Sequence, residues 1–120
     1  MVNYSNVLAA YSKVAKYRNP ILLQYSGILS RMIGNQIYLK PENLQVAGSF
    51  KLGGAINVIF NLTDEQKKKG VVTCFAGNWA QAVAYASQIL KVRSVIVMAE
   101  NASQTKINKN TGDGSLYPYN

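Results

Sequence analysis

Two short apolar runs that flank an alanine-rich segment constrain the fold of this chain more than any other feature. Residues 71–74 predict a short buried strand and residues 93–98 predict the next strand, both rich in β-branched side chains. Residues 79–90 are apolar almost all round, which is typical of a helix packed on a sheet. A strand, a helix and a strand in this order predict a parallel, right-handed crossover unit. A further strand is predicted to begin at residues 114–117. The predicted fold class is therefore α/β, three-layer, with a small parallel sheet flanked by helices.

Helices account for most of the other predicted elements. Asn19-Pro20 ends the first of them, because the residue before a proline avoids helical dihedrals, and a Thr63…Gln66 capping box opens a short one. Residues 36–40 alternate like a strand. The predicted helices cover residues 3–17, 22–32 (closed near Gly34), 51–62, 63–69, 79–90 and 104–110. The helix over 79–90 has one polar face, formed by Asn78, Gln81, Tyr85 and Gln88.

The length and the residue counts limit the class of protein. With 120 residues, 48% of them hydrophobic, the chain is expected to be one domain with a real core. Its apolar runs are short, and its first residues lack the charged-then-apolar order of a signal peptide. The single cysteine, Cys74, excludes an internal disulfide and is expected to be a buried structural residue. We therefore expect a cytoplasmic protein that makes no membrane contact.

Histidine is absent from the sequence, which excludes several catalytic arrangements. No Ser-His-Asp or Cys-His nucleophile pair can form, and no metal site is expected. The five acidic residues are scattered, so a carboxylate acid/base pair is not supported either. An enzyme built from this chain would take its chemistry from a cofactor. The net charge of +8 comes from dispersed basic residues with no nucleic-acid motif, so specific nucleic-acid binding is not expected.

The stretch Gly48-Ser49-Phe50-Lys51 is the candidate functional motif. Small residues before and after it predict a tight loop that delivers Lys51 to the first turn of a helix. An ammonium that is removed from water loses its proton more easily, and a neutral amine can form a Schiff base with a carbonyl compound. On spacing alone, an ordinary exposed helix lysine beside a turn is the more common arrangement.

Two motifs of the sequence resemble one enzyme family. Residues 40–45 (Lys-Pro-Glu-Asn-Leu-Gln), followed by residues 48–51 and Gly54-Ala55, are similar to the cofactor-lysine region of the pyridoxal-phosphate-dependent threonine dehydratases (threonine ammonia-lyases) and serine racemases. Residues 76–78 (Ala-Gly-Asn) and the helix after them resemble the asparagine loop of the same family. The resemblance covers nearly the whole chain, but only the amino-terminal part of the family's fold. That fold is fold type II, the tryptophan synthase β-like fold.

The resemblance implies a role for five residues. Lys51 would hold pyridoxal 5′-phosphate as a Schiff base and would later remove the Cα proton of an amino-acid substrate, L-threonine or L-serine. Phe50 would pack against the cofactor ring, and Asn78 would hydrogen-bond the 3′-oxygen of that ring. The substrate carboxylate would bind to Ser49, Gly77 and Asn78, at a helix N-terminus. The implied reaction eliminates water and releases a 2-oxo acid and ammonia.

The sequence departs from the family pattern at several positions. Phe75 stands where a serine is usual, Trp79 where histidine is usual, and Gly53 where arginine is common. Trp79 could stack on a ligand, but its apolar helix favours packing in the core or at an interface. Ala76 lies where racemases carry a serine, so the resemblance favours a dehydratase over a racemase.

Members of the family are much longer than this chain, and their glycine-rich phosphate loop would lie beyond residue 120. We therefore expect residues 1–120 to be a single incomplete unit, with the amino-terminal helices and strand of the family's large domain over 1–45 and a small parallel α/β domain that carries Lys51 over 46–120. Alone, such a truncated chain is expected to be weak or inactive as an enzyme. The alternative is a non-catalytic truncated paralogue that acts as an interaction module or oligomer partner. In either case self-association or a complementing chain is expected, because the missing part would cover apolar surface.

Overall fold

The fold is known from a computed structural model, which describes residues 1–74, 77–99 and 115–119. Within these ranges the α-helices are α1 (Tyr4–Val14), α2 (Gly27–Ile33), α3 (Lys51–Phe60), α4 (Asp64–Lys69) and α5 (Asn78–Ile89). The strands are β1 (Gln24–Tyr25), β2 (Tyr38–Leu39), β3 (Val71–Cys74), β4 (Ser94–Ala99) and β5 (Ser115–Tyr119). Short 3₁₀ turns follow α1 at Ala15–Tyr17 and precede α3 at Glu42–Leu44.

A three-stranded parallel sheet forms the predicted crossover unit. β4 pairs with β3 on one side and with β5 on the other, and all three strands run parallel. Val71 of β3 stands opposite Ser94 of β4. Ile96 and Met98 of β4 are buried together with Ala80 of α5. The predicted order of strand, helix, strand and later strand is therefore confirmed, with α5 packed on one face of the sheet.

The main hydrophobic core lies between α3, α5 and the end of α1. Leu52, Ala55 and Ile56 of α3 are fully buried, and they pack with Ala82 and Ala86 of α5. The separation of two packed helices depends on the side chains at their contact, and alanine keeps it short. Burial of one leucine or isoleucine side chain contributes about 1.5–3 kcal/mol to stability. This packing sets the relative position of the first residues of α3 and α5, where both candidate motifs lie.

The first helix matches its prediction, but its apolar side chains are largely uncovered. Asn3 caps α1 in a reciprocal capping box with Asn6, and the 3₁₀ turn after Val14 completes the helix predicted over residues 3–17. Val7 is 57% exposed and Tyr11 is 59% exposed, while Val14 is buried against α3. The described part of the chain therefore leaves most of the apolar stripe of α1 in solvent.

The second helix is shorter than predicted. The prediction placed it over residues 22–32, but α2 begins at Gly27 because Ser26 acts as its N-cap and accepts a hydrogen bond from the Leu29 N–H at 3.4 Å. Its expected end is confirmed, since Gly34 follows it with a left-handed φ of 72°. The start was wrong because a serine cap stops a helix even where apolar residues continue before it.

The strand predicted over residues 36–40 is also shorter, and it does not join the parallel sheet. Only Tyr38–Leu39 is regular, and it pairs antiparallel with Gln24–Tyr25. The Tyr25 and Tyr38 rings stand opposite each other with their centroids 5.5 Å apart. Such cross-strand aromatic contacts favour pairing between two chain segments that sequence periodicity treats separately.

Cys74 is exposed, so its expected burial is wrong. Successive side chains of a strand point to opposite faces, and in β3 Val71 and Thr73 are half-buried while Val72 and Cys74 are exposed. Val72 is 73% exposed. The residues that the structure describes leave this face of β3 open, so the prediction of a buried strand over 71–74 is wrong for this face.

Several sequence-based expectations fall outside the described residues. They concern the helix over 104–110 and the two loop residues Phe75 and Ala76. Among the helices within 1–74 and 77–99, none is long and apolar enough to cross a membrane.

Candidate functional site

The candidate lysine lies where a tight turn leads into α3. Gly48 has a φ of 66°, a left-handed conformation that side chains with a Cβ rarely adopt. Its N–H donates to the Gln45 carbonyl oxygen at 2.7 Å. α3 then begins at Lys51, after Phe50 as its N-cap. The predicted loop and the place of Lys51 in the first helical turn are both confirmed.

Lys51 and Phe50 form an exposed pair. The Lys51 Nζ lies 4.6 Å from the centroid of the Phe50 ring, which is a cation–π distance. The Phe50 side chain is 63% exposed, and Lys51 is exposed as well. Of the two arrangements considered from the sequence, the described residues thus show the solvent-exposed lysine. An amine and an aromatic face are offered at one surface, where a planar carbonyl compound could contact both.

Ser49 differs from these two neighbours because it is buried. It is 4% exposed, and its Oγ has no hydrogen-bond partner in the described part of the chain. A buried hydroxyl without a partner costs about 1–3 kcal/mol of stability. A ligand with an acceptor group that reaches the start of α3 could therefore satisfy this hydroxyl.

The second candidate motif begins α5. Gly77 is the N-cap, with an extended φ of −118°, and no side chain caps this helix. Asn78 is the exposed first residue, and its side-chain amide has no hydrogen-bond partner among the described residues. The first N–H groups of a helix lack internal acceptors and carry partial positive charge. These groups and the Asn78 amide are suited to an anionic or carbonyl-bearing ligand.

Trp79 links the starts of α3 and α5. Its ring lies 3.8 Å from the position that a Cβ on Gly54 would take, and Gly54 follows Lys51 by one helical turn. The Trp79 Nε1–H donates to the Thr73 Oγ1 at 3.1 Å, which ties the helix to β3. Trp79 is partly buried against the main core, so the packing favoured from the sequence is confirmed. Lys51 and Asn78 consequently lie at the same end of the α3–α5 pair.

A cleft of about 330 Å³ opens between the loop before Ser49 and the polar face of α5. Its lining residues are Val46, Ala47, Gly48, Gln81, Ala84, Tyr85 and Gln88. The polar face is visible in the sequence as Gln81, Tyr85 and Gln88, but the loop opposite it is not. Local periodicity carries no information on a contact between segments so far apart in the chain.

Arg18 supports the start of α3, and nothing in the sequence patterns singled it out. Its Nη2 donates to Glu42 Oε2 at 2.6 Å, and each side chain is 18% exposed. A Cβ on Gly53 would lie 3.0 Å from the Arg18 Nη1, so the guanidinium fills the space that this glycine leaves. The one sequence feature that could have pointed to Arg18 is Gly53, because the family that the sequence resembles commonly has an arginine at that position.

The residues at the start of α3 and α5 fit one side of pyridoxal phosphate. Lys51 offers an amine for the aldehyde, Phe50 an aromatic face for the ring, and Asn78 a donor for a ring oxygen. A glycine-rich phosphate cradle is not found within 1–74 and 77–99, because Gly53 and Gly54 lie inside α3 rather than in a loop. The described residues therefore fit the aldehyde, the ring and the ring oxygen of the cofactor, but not its phosphate group.

Comparison with known proteins identifies the family of this chain. Residues 14–112 match the family described as pyridoxal-phosphate dependent enzyme. The chain is 42% identical to L-threonine ammonia-lyase of Thermotoga maritima over 115 residues, which are 96% of this chain and 29% of that protein. It is 37% identical to serine racemase of Dictyostelium discoideum over 114 residues, 95% of this chain and 35% of that protein. The solved structure of maize serine racemase matches 99% of this chain and 37% of its own, with a TM-score of 0.87 at 33% sequence identity.

The matched region contains both candidate motifs, since it includes Lys51 and Asn78. The chain spans about a third of the length of the curated relatives that it matches. Its helices and small parallel sheet correspond to that share of a fold-type II enzyme, which confirms the predicted fold class. The chain therefore belongs to the family of pyridoxal-phosphate-dependent enzymes.

Proposed function

We propose that this chain is the lysine-bearing part of a pyridoxal-phosphate-dependent ammonia-lyase that acts on L-threonine or L-serine. The observation that supports the proposal most is the position of Lys51. It begins α3 with its amine against the Phe50 ring, at the same end of the helix pair as Asn78. A relative named L-threonine ammonia-lyase matches 96% of the chain.

Lys51 has two tasks in this proposal. Its amine would hold the aldehyde of pyridoxal phosphate covalently, and the same amine would take the proton from the substrate Cα. Bound pyridoxal phosphate supplies an acceptor for the electron pair that this proton leaves behind. Exposure of Lys51 in the described part of the chain leaves its amine accessible to both partners.

The other four residues orient the cofactor and the substrate. Phe50 packs on the cofactor ring, and Asn78 donates its side-chain amide to the 3′-oxygen. The substrate carboxylate accepts hydrogen bonds from the Ser49 hydroxyl and from N–H groups at Gly77, where the partial positive charge of the uncapped α5 favours an anion. Loss of the β-hydroxyl from the substrate and hydrolysis then give a 2-oxo acid and ammonia.

The proposal also has to account for the phosphate group of the cofactor. The phosphate group has no cradle in the described residues, so we propose that a complementing chain or self-association supplies it and that this chain alone is a weak catalyst. We also propose that residues 1–45 belong to the large domain of the enzyme, that residues 46–120 form its small α/β domain, and that the protein is cytoplasmic. L-threonine and L-serine remain alternatives as substrates, since relatives named for each match the chain.

A visible absorption spectrum of the purified protein with pyridoxal phosphate tests the proposal. We expect a saturable Schiff-base band that is absent in Lys51→Ala and unchanged in the control Lys68→Ala, which removes an exposed lysine of α4. Borohydride reduction followed by peptide mass spectrometry should locate the cofactor on Lys51. A band that survives in Lys51→Ala, or no band in the unaltered chain, would refute the proposal.

The second candidate is a non-catalytic interaction module. It is favoured by the exposed apolar side chains of α1 and α2, such as Val7 (57% exposed), Ile28 (67%) and Met32 (76%). This alternative predicts no lysine-dependent band and a defined oligomer in analytical ultracentrifugation. A lysine-dependent band together with ammonia release from threonine or serine would exclude it.

A further inference from the structure

We infer that Trp79 is a positioning residue whose hydrogen bond to Thr73 fixes the first turn of α5 and, with it, the orientation of Asn78. The anchoring itself stands on the geometry of the chain. Its consequence for a bound cofactor rests on the proposed function.

The start of α5, like that of α3, lacks the side-chain cap that fixes the starts of the other three α-helices. Asn3, Ser26 and Thr63 cap α1, α2 and α4, each with a side-chain oxygen that accepts from a backbone N–H. α5 has Gly77 at this position and no side-chain cap. Asn78 is exposed and makes no side-chain hydrogen bond with the described residues, so it does not hold the helix start either. Some other contact must define where α5 begins.

Trp79 provides that contact. The indole N–H can only donate, and it reaches the Thr73 Oγ1 at 3.1 Å with both side chains half-buried. The far edge of the ring lies 3.8 Å from the position that a Cβ on Gly54 of α3 would take, and the ring packs against the core that α3 helps to form. The second residue of α5 is thus tied to β3 and packed on α3 at the same time. Family members that carry histidine at this position have a smaller ring there.

The anchor also determines the direction of Asn78. Adjacent helix residues point about 100° apart because an α-helix has 3.6 residues per turn. Since Trp79 points toward β3 and α3, Asn78 is turned to the exposed side of the α5 start. Loss of the Thr73 bond would leave a half-buried indole N–H unpaired and would free the first turn to shift. Simple core packing of the indole would not depend on the hydroxyl.

The test uses variants at the acceptor. Thr73→Val keeps the shape but removes the hydroxyl, and Thr73→Ser restores it as the matched control. The Gln81 N–H donates to the Gly77 carbonyl oxygen in the first turn of α5. In the cofactor-free protein we expect the rate of hydrogen exchange at this amide to rise about fivefold in Thr73→Val. In Thr73→Ser we expect the same rate as in the unaltered chain. The chain has one tryptophan, so a red shift of its fluorescence emission in Thr73→Val reports the same change at Trp79.

A titration with pyridoxal phosphate then tests the link to Asn78. We expect about fivefold weaker binding in Thr73→Val, measured from the lysine-dependent band, and no further weakening when Thr73→Val is added to Asn78→Ala. Unchanged exchange at Gln81 in Thr73→Val would overturn the anchor. If Thr73→Val still weakened pyridoxal-phosphate binding about fivefold when added to Asn78→Ala, the inference that Trp79 orients Asn78 would be overturned. If the unaltered chain shows no band, the proposed function fails, and the exchange and fluorescence results decide the anchor by themselves.

Discussion

Replacing Gly70 with alanine is expected to lower the free energy of unfolding by about 3–4 kcal/mol, from backbone strain and a steric clash together. Gly70 joins α4 to β3 with φ 84° and ψ −173°, a region that essentially only glycine occupies. A Cβ at this position would lie 2.6 Å from the Arg93 carbonyl oxygen. That oxygen is also the acceptor for the Val71 N–H at 2.9 Å, so moving it away would disturb the β3–β4 pairing where it begins.

Gly34→Ala is the matched control for this prediction. Gly34 also has a positive φ, 72°, but nothing lies within 4 Å of an added Cβ. Only the strain of a left-handed alanine remains there, about 1–2 kcal/mol. Urea unfolding followed by circular dichroism measures both variants. Equal losses of stability in the two would show that the contact with the Arg93 carbonyl has no effect and would contradict the prediction.

The parallel sheet and the turn that leads into α3 could be predicted because the sequence patterns that indicate them are local. The apolar runs of β3 and β4 and the alanine-rich α5 are visible within windows of a few residues. The small residues around Lys51 likewise predict a turn without knowledge of the rest of the fold. The resemblance of both motifs to one family then placed them in a single enzyme architecture. Local pattern and family resemblance agree at this part of the chain.

The amino-terminal predictions failed where tertiary contacts override local pattern. Residues 22–25 are compatible with a helix, but Gln24–Tyr25 pairs with Tyr38–Leu39 across the intervening α2. The exposure of Cys74 depends on what covers one face of β3, which periodicity within four residues does not reveal. The first error concerns a strand partner that is distant along the chain, and the second concerns which face of β3 the rest of the chain covers.

Long-range contacts also explain which side-chain contacts the sequence did not reveal. The basic residues look dispersed in the sequence, yet Lys13, Lys16 and Lys67 all place their Nζ within 5.7–5.9 Å of the Phe60 ring centroid. Phe60 ends α3, so these cations also lie near the partial negative charge of a helix C-terminus. The Thr73–Trp79 bond shows the same limitation, because the sequence marked Trp79 as unusual without indicating its partner.

Removing the Arg18 guanidinium with Arg18→Met is expected to lower the free energy of unfolding by about 2–3 kcal/mol, less than for a fully buried ion pair because each side chain keeps 18% exposure. The variant leaves the half-buried carboxylate of Glu42 with only the longer contact to Lys40 Nζ at 3.5 Å. It also empties the space over Gly53. Lys40→Met is the matched control, because Lys40 is 51% exposed and an exposed pair contributes about 0–1 kcal/mol.

The double variant Arg18→Met/Gly53→Arg tests whether the Arg18 guanidinium takes the place of the arginine that the family commonly carries at position 53. In Gly53→Arg alone, two cations compete for Glu42, and the new Cβ meets the Arg18 Nη1 at 3.0 Å, so a loss of stability is expected. In the double variant the arginine at 53 can take over the space and the carboxylate, which should recover about 2 kcal/mol relative to the sum of the single changes. Urea unfolding of the four proteins measures this coupling. Additive effects would mean that the two positions do not share one guanidinium site, and that Arg18 stabilises the start of α3 in some way that an arginine at 53 does not reproduce.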